Sequence, residues 1–329
     1  MVWAGGAALV LLAVSWVAGL GAGSVTLSPL QVWQGLVYSG EGLERRIVWD
    51  LRLPRVLTGM LVGMCLAASG ALLQRVMRNP LADPGIIGVS AGGGLMAVTT
   101  MILFPQHMGL LPAAAFLGAL GAAALVYVLA WDGGVSPLRL ILAGVAVNAL
   151  LGAVTSGIMI THSDQVQSVL PWLTGGLAGR SWPHVALILP YGLPALLLCM
   201  WAAKPANLLR LDEDSVRLLG HRVDITRLLL TLLATWLAGA AVSVAGLVGF
   251  VGLVVPHMVR LFTGDDYRTL LPLSIVTGGL ITVFADTAAR TWFDPVELPV
   301  GILLAVIGTP FFLYLLRRGG SGYAQTAGR

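Results

Sequence analysis

Long apolar runs, separated by short stretches of glycine, proline and charged residues, follow one another along the whole chain. The runs do not alternate apolar and polar positions as the strands of a membrane barrel do, so each run predicts a helix. About 20 apolar residues are needed to cross roughly 30 Å of hydrocarbon, where no water satisfies an irregular backbone. The pattern therefore predicts an all-α protein with about ten membrane-spanning helices. Their ranges are 3–22, 55–76, 86–104, 111–131, 139–161, 183–202, 226–246, 247–262, 270–290 and 299–316.

The composition agrees with a polytopic membrane protein. Hydrophobic residues make up 57% of the 329 residues and charged residues 10%, whereas a soluble domain has about 45–50% and about 25%. Cys65 and Cys199 lie inside apolar runs without metal-like spacing, which indicates neither a disulfide framework nor a zinc site. The first run lacks the basic start of a secretory signal, so we expect it to be retained as a helix. We expect a single transmembrane domain over 1–329, with a flexible tail at 319–329.

The basic residues predict how the chain is oriented. The stretch 226–262 is too long for one crossing and offers Gly246 and Gly249 as a tight reversal, so it is divided into two spans. With ten spans, thirteen of the 19 basic residues fall on one side of the membrane and six on the other. By the positive-inside rule, the side with more basic residues is cytoplasmic, so both termini are predicted to lie in the cytoplasm. The net charge of +4 then requires no nucleic-acid partner.

The stretch QRVMRNPLADPGIIGVSAGGG at 74–94 interrupts the apolar pattern. Asn79 followed by Pro80 ends one helix, and Asp83 followed by Pro84 starts the next with a carboxylate cap and a proline in the first turn. We therefore expect a rigid cytoplasmic elbow at 77–85. The small residues that follow give the third span a surface to which either another helix or a passing solute can come close.

Two connections between spans are long enough to carry function. The outer one, 23–54, ends in the motif RLPR, which places Arg52 and Arg55 at the start of a span. The inner one, 203–224, interleaves leucines with charges and predicts short amphipathic helices. A solvated charged loop would also explain it, although exposed leucines on a membrane protein favour a binding partner.

The chemistry that would power transport from within the chain is missing. The sequence has no GxxxxGK[ST] motif and a single lysine, Lys204, so it predicts no P-loop and no ATP hydrolysis. An ion-coupled carrier keeps a carboxylate near the middle of the bilayer. Here Asp286 is the one acid inside a predicted span, and Arg290 at i+4 offers it a partner. The pattern favours an external energy source.

The fifth span carries a weakly polar stripe on an otherwise apolar helix. Asn148, Gly152 and Ser156 recur at intervals of four, and Met159 lies close to the outer end. Helix packing explains the glycine, but an asparagine facing lipid is costly, so we expect the stripe to face protein or a translocation pathway.

Seven further segments are informative together: LRLPRVL at 51–57, RNPLADPGIIGVSAG at 78–92, LILAGVAVN at 140–148, GGLAGRSW at 175–182, LDEDSVRLLG at 211–220, GLVGFVGLVVPHMVRL at 246–261 and ELPVGILLAVIGTPFF at 297–312. Taken in order, they resemble the FecCD-type permeases. These are the membrane subunits of binding-protein-dependent ABC importers for iron-siderophore complexes, heme and cobalamin. The resemblance covers nearly the whole chain and implies ten helices per subunit, a homodimer with the pathway on its axis, and two ATP-binding cassette subunits beneath.

The resemblance also implies roles for individual residues, each carried over by its motif. Arg52, Arg55 and Arg290 match positions that receive glutamates of a periplasmic binding protein. Asn79 and Leu81 match the cytoplasmic gate, and Pro137 and Leu138 a second constriction, where SPL replaces the small hydroxyl residues of some relatives. The loop at 211–220 matches the helices that couple to the ATPase. Its implied coupling residues are Leu211, Asp212, Glu213, Asp214, Arg217 and Gly220.

The predicted function is therefore that of a transport subunit rather than an enzyme. We expect it to move an iron-siderophore complex or heme across a bacterial inner membrane, with cobalamin as the alternative cargo. No cofactor is expected in this chain, because ATP and Mg²⁺ would be bound by the partner ATPase. The rival class is an ion-coupled secondary transporter, which would move its substrate with an ion gradient and no ATPase partner.

Overall fold

The computed structural model describes residues 2–23, 25–37, 42–218, 220–293 and 296–326. Within those ranges the chain forms helices and no β-strand, as the apolar pattern predicts. A π-helical turn, Arg46–Arg52, leads directly into the helix that begins at Leu53, and 3₁₀ turns cover Pro84–Ile87, Pro105–Leu110 and Ser163–Gln165. The α-helices are α1 (Val2–Gly21), α2 (Pro29–Val37), α3 (Leu43–Arg45), α4 (Leu53–Val76), α5 (Val89–Leu103), α6 (Leu111–Ala130), α7 (Pro137–Thr161), α8 (Val166–Leu173), α9 (Trp182–Leu208), α10 (Glu213–Leu218), α11 (Val223–Ala245), α12 (Val251–Thr263), α13 (Tyr267–Thr291) and α14 (Val300–Thr326).

Each of the ten predicted spans coincides with a helix of the structure. Six helices in the described ranges are long and apolar enough to cross a membrane, and four shorter apolar helices coincide with the other predicted spans. The division of 226–262 into two helices is confirmed, because α11 ends at Ala245 and α12 begins at Val251. The count of ten crossings stays a prediction. Helix α14 continues to Thr326, so it includes most of the segment predicted as a tail, while 327–329 lie outside the described residues.

Helix α4 is the centre of the bundle. It is packed by α9, α11, α12 and α13, and 83% of its most apolar stretch is buried, against 11% in α7. Small residues allow the closest contacts. A Cβ added to Gly70 would lie 1.9 Å from the carbonyl oxygen of Gly252, so the α4 and α12 backbones touch there. The small-residue surface predicted at the start of α5 is likewise a helix contact at Gly92, which packs on Gly118 of α6.

Three breaks in the helices meet inside the bundle, and their backbone groups form hydrogen bonds with one another. They are the segment after α8, the segment between α11 and α12, and the start of α14. The Gly176 N–H donates to the Ala245 carbonyl at 2.9 Å, and the Gly301 N–H donates to the Gly175 carbonyl at 3.1 Å. Leu247 N–H donates to the Trp172 carbonyl at 3.2 Å. Non-helical backbone persists within a membrane protein only where protein groups replace water as hydrogen-bond partners, as they do here.

Candidate functional site

The end of the bundle that the basic residues assign to the outer side holds a polar cavity of about 620 Å³. Arg52 and Arg290 reach it but are themselves buried, at 6% and 7% exposure. Arg52 donates to the carbonyls of Leu20 and Gly21 at 2.8 and 2.9 Å and to Val25, and Arg290 donates to the carbonyl of Gly19. The last carbonyls of a helix lack partners within the helix, so the two arginines cap the C-terminus of α1.

Arg55 lies on the same cavity but binds two carboxylates. Its Nε and Nη2 each donate to Asp286 at 2.9 Å, and its Nη1 donates to Glu297 at 3.1 Å. Arg290, which the sequence offered as the partner of Asp286, lies 4.0 Å from it, at the limit of an ion pair. Asp286 is 3% exposed and is neutralised chiefly by Arg55.

The sequence reasoning missed two contributors to this cavity. Glu297 binds Arg55, and Arg180 extends the positive charge from the loop before α9. Burial lowers the pKa of Arg180, and the nearby charge of Arg55 lowers it further. Asp286 and Arg55 lie 231 positions apart, so no local spacing could reveal their pairing. The distribution of basic residues placed Arg180 on the same side as Arg55, but its motif, GGLAGRSW, carried no predicted role for it.

At the opposite end, the elbow has the predicted capped start. The Asp83 carboxylate accepts the Gly85 N–H at 2.8 Å, and Pro84 begins the 3₁₀ turn that precedes α5. The Asn79 side-chain oxygen accepts the Leu81 N–H at 2.9 Å, which closes the turn that carries both predicted gate residues. Leu81 is half-buried and stays accessible from this end.

The second predicted constriction is the first turn of α7. Ser136 caps this helix by accepting the Arg139 N–H at 3.2 Å. Pro137 is half-buried, and Leu138 is 65% exposed. An apolar side chain so exposed at a helix start is available to a second chain or to a pathway.

The predicted pathway stripe divides into three environments. Asn148 donates to the Gly85 carbonyl at 2.9 Å, which ties α7 to the elbow instead of facing open space. Gly152 and Ser156 lie on the exposed face of α7, and an added Cβ at Gly152 would meet no atom within 4 Å. Met159 packs on the small cluster formed by Val98, Ile102 and Val169.

The inner loop differs from the predicted series of short amphipathic helices. Helix α9 continues to Leu208 because Ala203 and Ala206 are buried, and α10 is the one further helix before α11 in the described part of 203–224. Leu211 and Leu218 are 44% and 88% exposed, and Asp212 is exposed beside them. Gly220 adopts φ +79°, which favours glycine. The side chains of Asp214 and Arg217 lie outside the described part, and so does Leu219.

Among the predicted coupling residues, Glu213 points its side chain inward. It accepts a hydrogen bond from Arg227 of α11 at 2.5 Å and is about one-third exposed. The sequence reasoning did not select Arg227, which is 3% exposed, because an arginine just inside the start of a span is a common pattern for positive-inside topology.

Comparisons with known proteins agree with this architecture. The profile of the FecCD transport family matches residues 11–318. The chain is 41% identical over 294 residues to the Fe(3+)-citrate import system permease protein YfmD of Bacillus subtilis, covering 89% of this chain and 86% of that protein. It is 46% identical over 272 residues to the cobalamin import system permease protein BtuC of Halobacterium salinarum, covering 82% and 73%.

A solved structure shows the same fold. The chain superposes with a TM-score of 0.86 and 31% identity on a chain of a metal-chelate type ABC transporter in an inward-facing conformation, covering 95% of this chain and 98% of that one. The class is therefore an all-α permease subunit of an ABC importer, which has no ATPase site of its own. The chain belongs to the FecCD transport family.

Proposed function

We propose that this permease carries a ferric chelate into the cytoplasm, driven by ATP that a partner subunit hydrolyses. The observation that carries the proposal is the 41% identity, over 89% of the chain, to a permease named for Fe(3+)-citrate import. Cobalamin is the second candidate, favoured by the relative that is 46% identical. Heme, the other cargo implied by the family resemblance, is supported by neither of these names.

A second copy of the chain is the proposed partner of α7. This helix is 11% buried over its most apolar stretch, and its exposed face combines Gly152 and Ser156 with bulkier residues such as Leu142. Lipid requires no small residues, whereas a facing helix approaches most closely where they lie. A thiol introduced by Ser156→Cys should therefore form a disulfide between two copies, and one introduced by Leu229→Cys on exposed α11 should not. Equal cross-linking of both would contradict this arrangement.

The outer cavity is the proposed landing site for acidic side chains of a periplasmic binding protein. Arg52, Arg55, Arg180 and Arg290 line it together with two acids, Asp50 and Glu297, which leaves an excess of positive charge. Exposed ion pairs contribute about 0.2–1 kcal/mol each, so their task is orientation and steering more than affinity. Arg55 is the proposed contact residue, while Arg52 and Arg290 hold α1 in place beside it.

The cytoplasmic end is the proposed exit and the proposed site of energy input. Asn79 and Leu81 would meet the same residues of the second copy across the exit, with Pro137 and Leu138 as a second constriction. The exposed leucines Leu211 and Leu218 would dock α10 and its preceding turn on the ATPase. Asp212, Asp214, Arg217 and Gly220 complete that proposed surface, and both termini would face the cytoplasm.

The rival mechanism, ion-coupled transport, finds little support in the buried charges. Asp286 is the one acid that lies inside a predicted span, and Arg55 binds both of its oxygens. A carboxylate held by an arginine in this way has no free oxygen pair for a coupling cation.

Uptake into proteoliposomes tests the cargo. The permease, reconstituted with its ATPase and binding protein, would be given ferric citrate, a ferric hydroxamate, hemin or cobalamin, each with and without ATP. We expect ATP-dependent uptake of a ferric chelate. Uptake of cobalamin and of no ferric chelate would make cobalamin the cargo in place of the ferric chelate. Uptake driven by an ion gradient without the ATPase would overturn the whole proposal.

A further inference from the structure

Arg227 connects two segments that the proposed function treats separately. It lies on α11 and is 3% exposed. Its Nη2 donates to Glu213 of α10 at 2.5 Å, and its Nη1 donates to the Val135 carbonyl at 2.9 Å. One buried guanidinium thus holds both the proposed coupling helix and the turn that leads into α7.

The turn before α7 is fixed to α11 through both backbone groups of Val135. The Val135 N–H donates to Asp224 at 3.3 Å while its carbonyl accepts from Arg227. Asp224 and Arg227 are three positions apart and therefore share one face of α11. Ser136, the next residue, caps α7, so Val135 is joined to Pro137 and Leu138 without an intervening loop.

Helix α7 in turn is fixed to the elbow. Asn148 donates to the Gly85 carbonyl, and Gly144 packs so closely that an added Cβ would lie 1.9 Å from the Ile86 carbonyl oxygen. Both contacts fall on the 3₁₀ turn that follows Asn79 and Leu81. A displacement of α7 therefore reaches the proposed exit gate through direct contacts.

We propose that Arg227 is a positioning residue that transmits movement of α10 to both cytoplasmic constrictions, through the turn at 131–136, α7 and the elbow. The inference rests on the proposed function, in which an ATPase moves α10. Arginine suits the role because its planar fork binds two partners at once and stays charged when buried. A lysine at this position would keep the charge but present a single ammonium group.

The test uses the full complex in proteoliposomes, with variants Glu213→Gln, Arg227→Gln and Arg227→Lys. Arg222→Gln is the matched control, because Arg222 is exposed and lies at the start of the same helix. Each protein is assayed for copurification of the ATPase, ATP hydrolysis and uptake. A spin label at Leu138→Cys in both copies reports the distance across the exit with and without nucleotide. Cys65 and Cys199 are fully buried and should add little background.

We expect the three variants to keep the ATPase bound and hydrolysing, while uptake per ATP falls about tenfold and the nucleotide-dependent change in spin-label distance is lost. Arg222→Gln should behave as wild type. If Arg227→Gln fails to fold, Glu213→Gln, whose side chain is partly exposed, carries the test. Normal uptake with a normal distance change would overturn the inference. So would a parallel fall of ATP hydrolysis, uptake and yield, which indicates a merely structural role. A wild-type complex without ATP-dependent uptake would instead contradict the proposed function.

Discussion

Arg55 carries the charge balance of the outer cavity because all three of its side-chain nitrogens donate to carboxylates. Asp286 is buried and holds two of its nitrogens, whereas Glu297 is 49% exposed at the side chain and holds the third. A carboxylate arriving from outside therefore has one accessible competitor, Glu297. In the proposed docking, that contact must be replaced before a binding protein engages Arg55.

Replacing this competitor is expected to strengthen docking. Glu297→Gln should tighten the binding protein's affinity for the complex by about two- to fivefold, the size of one exposed ion pair. Titration of labelled binding protein measures it at low salt. Asp50→Asn is the control, because it removes the same charge from the cavity and Asp50 makes no ion pair with Arg55. Equal effects of the two variants would show that overall potential, and not release of Arg55, sets the affinity.

Arg52 is expected to matter for stability before it matters for docking. Arg52→Ala would leave the carbonyls of Leu20 and Val25 without this donor, whereas the Gly21 carbonyl would keep the Leu27 N–H. The loss should cost about 2 kcal/mol of unfolding free energy. Thermal unfolding of the purified protein in detergent measures the loss, with exposed Arg46→Ala as the control. If Arg52→Ala unfolds at the same temperature as the wild type, these hydrogen bonds contribute nothing to stability, and docking becomes the main role of Arg52.

Among the elements, α11 and α12 show what a local pattern predicts and what it leaves open. Length and two glycines sufficed to predict the break, because one uninterrupted helix over 226–262 would exceed the bilayer. The partner of the break could not be predicted. Trp172, on α8, accepts the Leu247 N–H, and nothing in the sequence near 246 indicates a contact with α8. Periodicity locates helices, whereas backbone contacts between distant breaks depend on the folded arrangement.

Gly246 is the position where this junction depends most on glycine. It adopts φ +71° and ψ −155°, and an added Cβ would lie 2.2 Å from the Trp172 carbonyl oxygen. Gly246→Ala should therefore destabilise the protein by at least about 1–3 kcal/mol, from backbone strain alone. Gly249→Ala is the matched control, since a Cβ there would meet no atom within 4 Å. Equal melting temperatures for the two variants would contradict the close approach of α8.

Over the whole molecule, the ion pairs of the described residues lie at two ends, with an apolar bundle between them. The sequence predicted the helices, the elbow and the two long connections, because those follow from hydropathy and local capping. It did not predict which side chains close each end, since Arg55 with Asp286 and Arg227 with Val135 pair across 231 and 92 positions. The family resemblance marked surfaces rather than partners, so the inward direction of Glu213 became evident only from the fold.

The separation of the two ends requires that they face opposite sides of the membrane. Leu30, in the outer connection, is 66% exposed and Leu218, on α10, is 88% exposed, while both native cysteines are fully buried. A membrane-impermeant maleimide should therefore label Leu30→Cys in intact cells stripped of outer-membrane barriers, and Leu218→Cys only after the inner membrane is opened. Wild-type protein, with its two buried thiols, gives the background. Labelling of both positions from the same side would contradict the orientation inferred from the thirteen-to-six distribution of basic residues. It would also contradict the assignment of docking and energy input to opposite faces of the membrane.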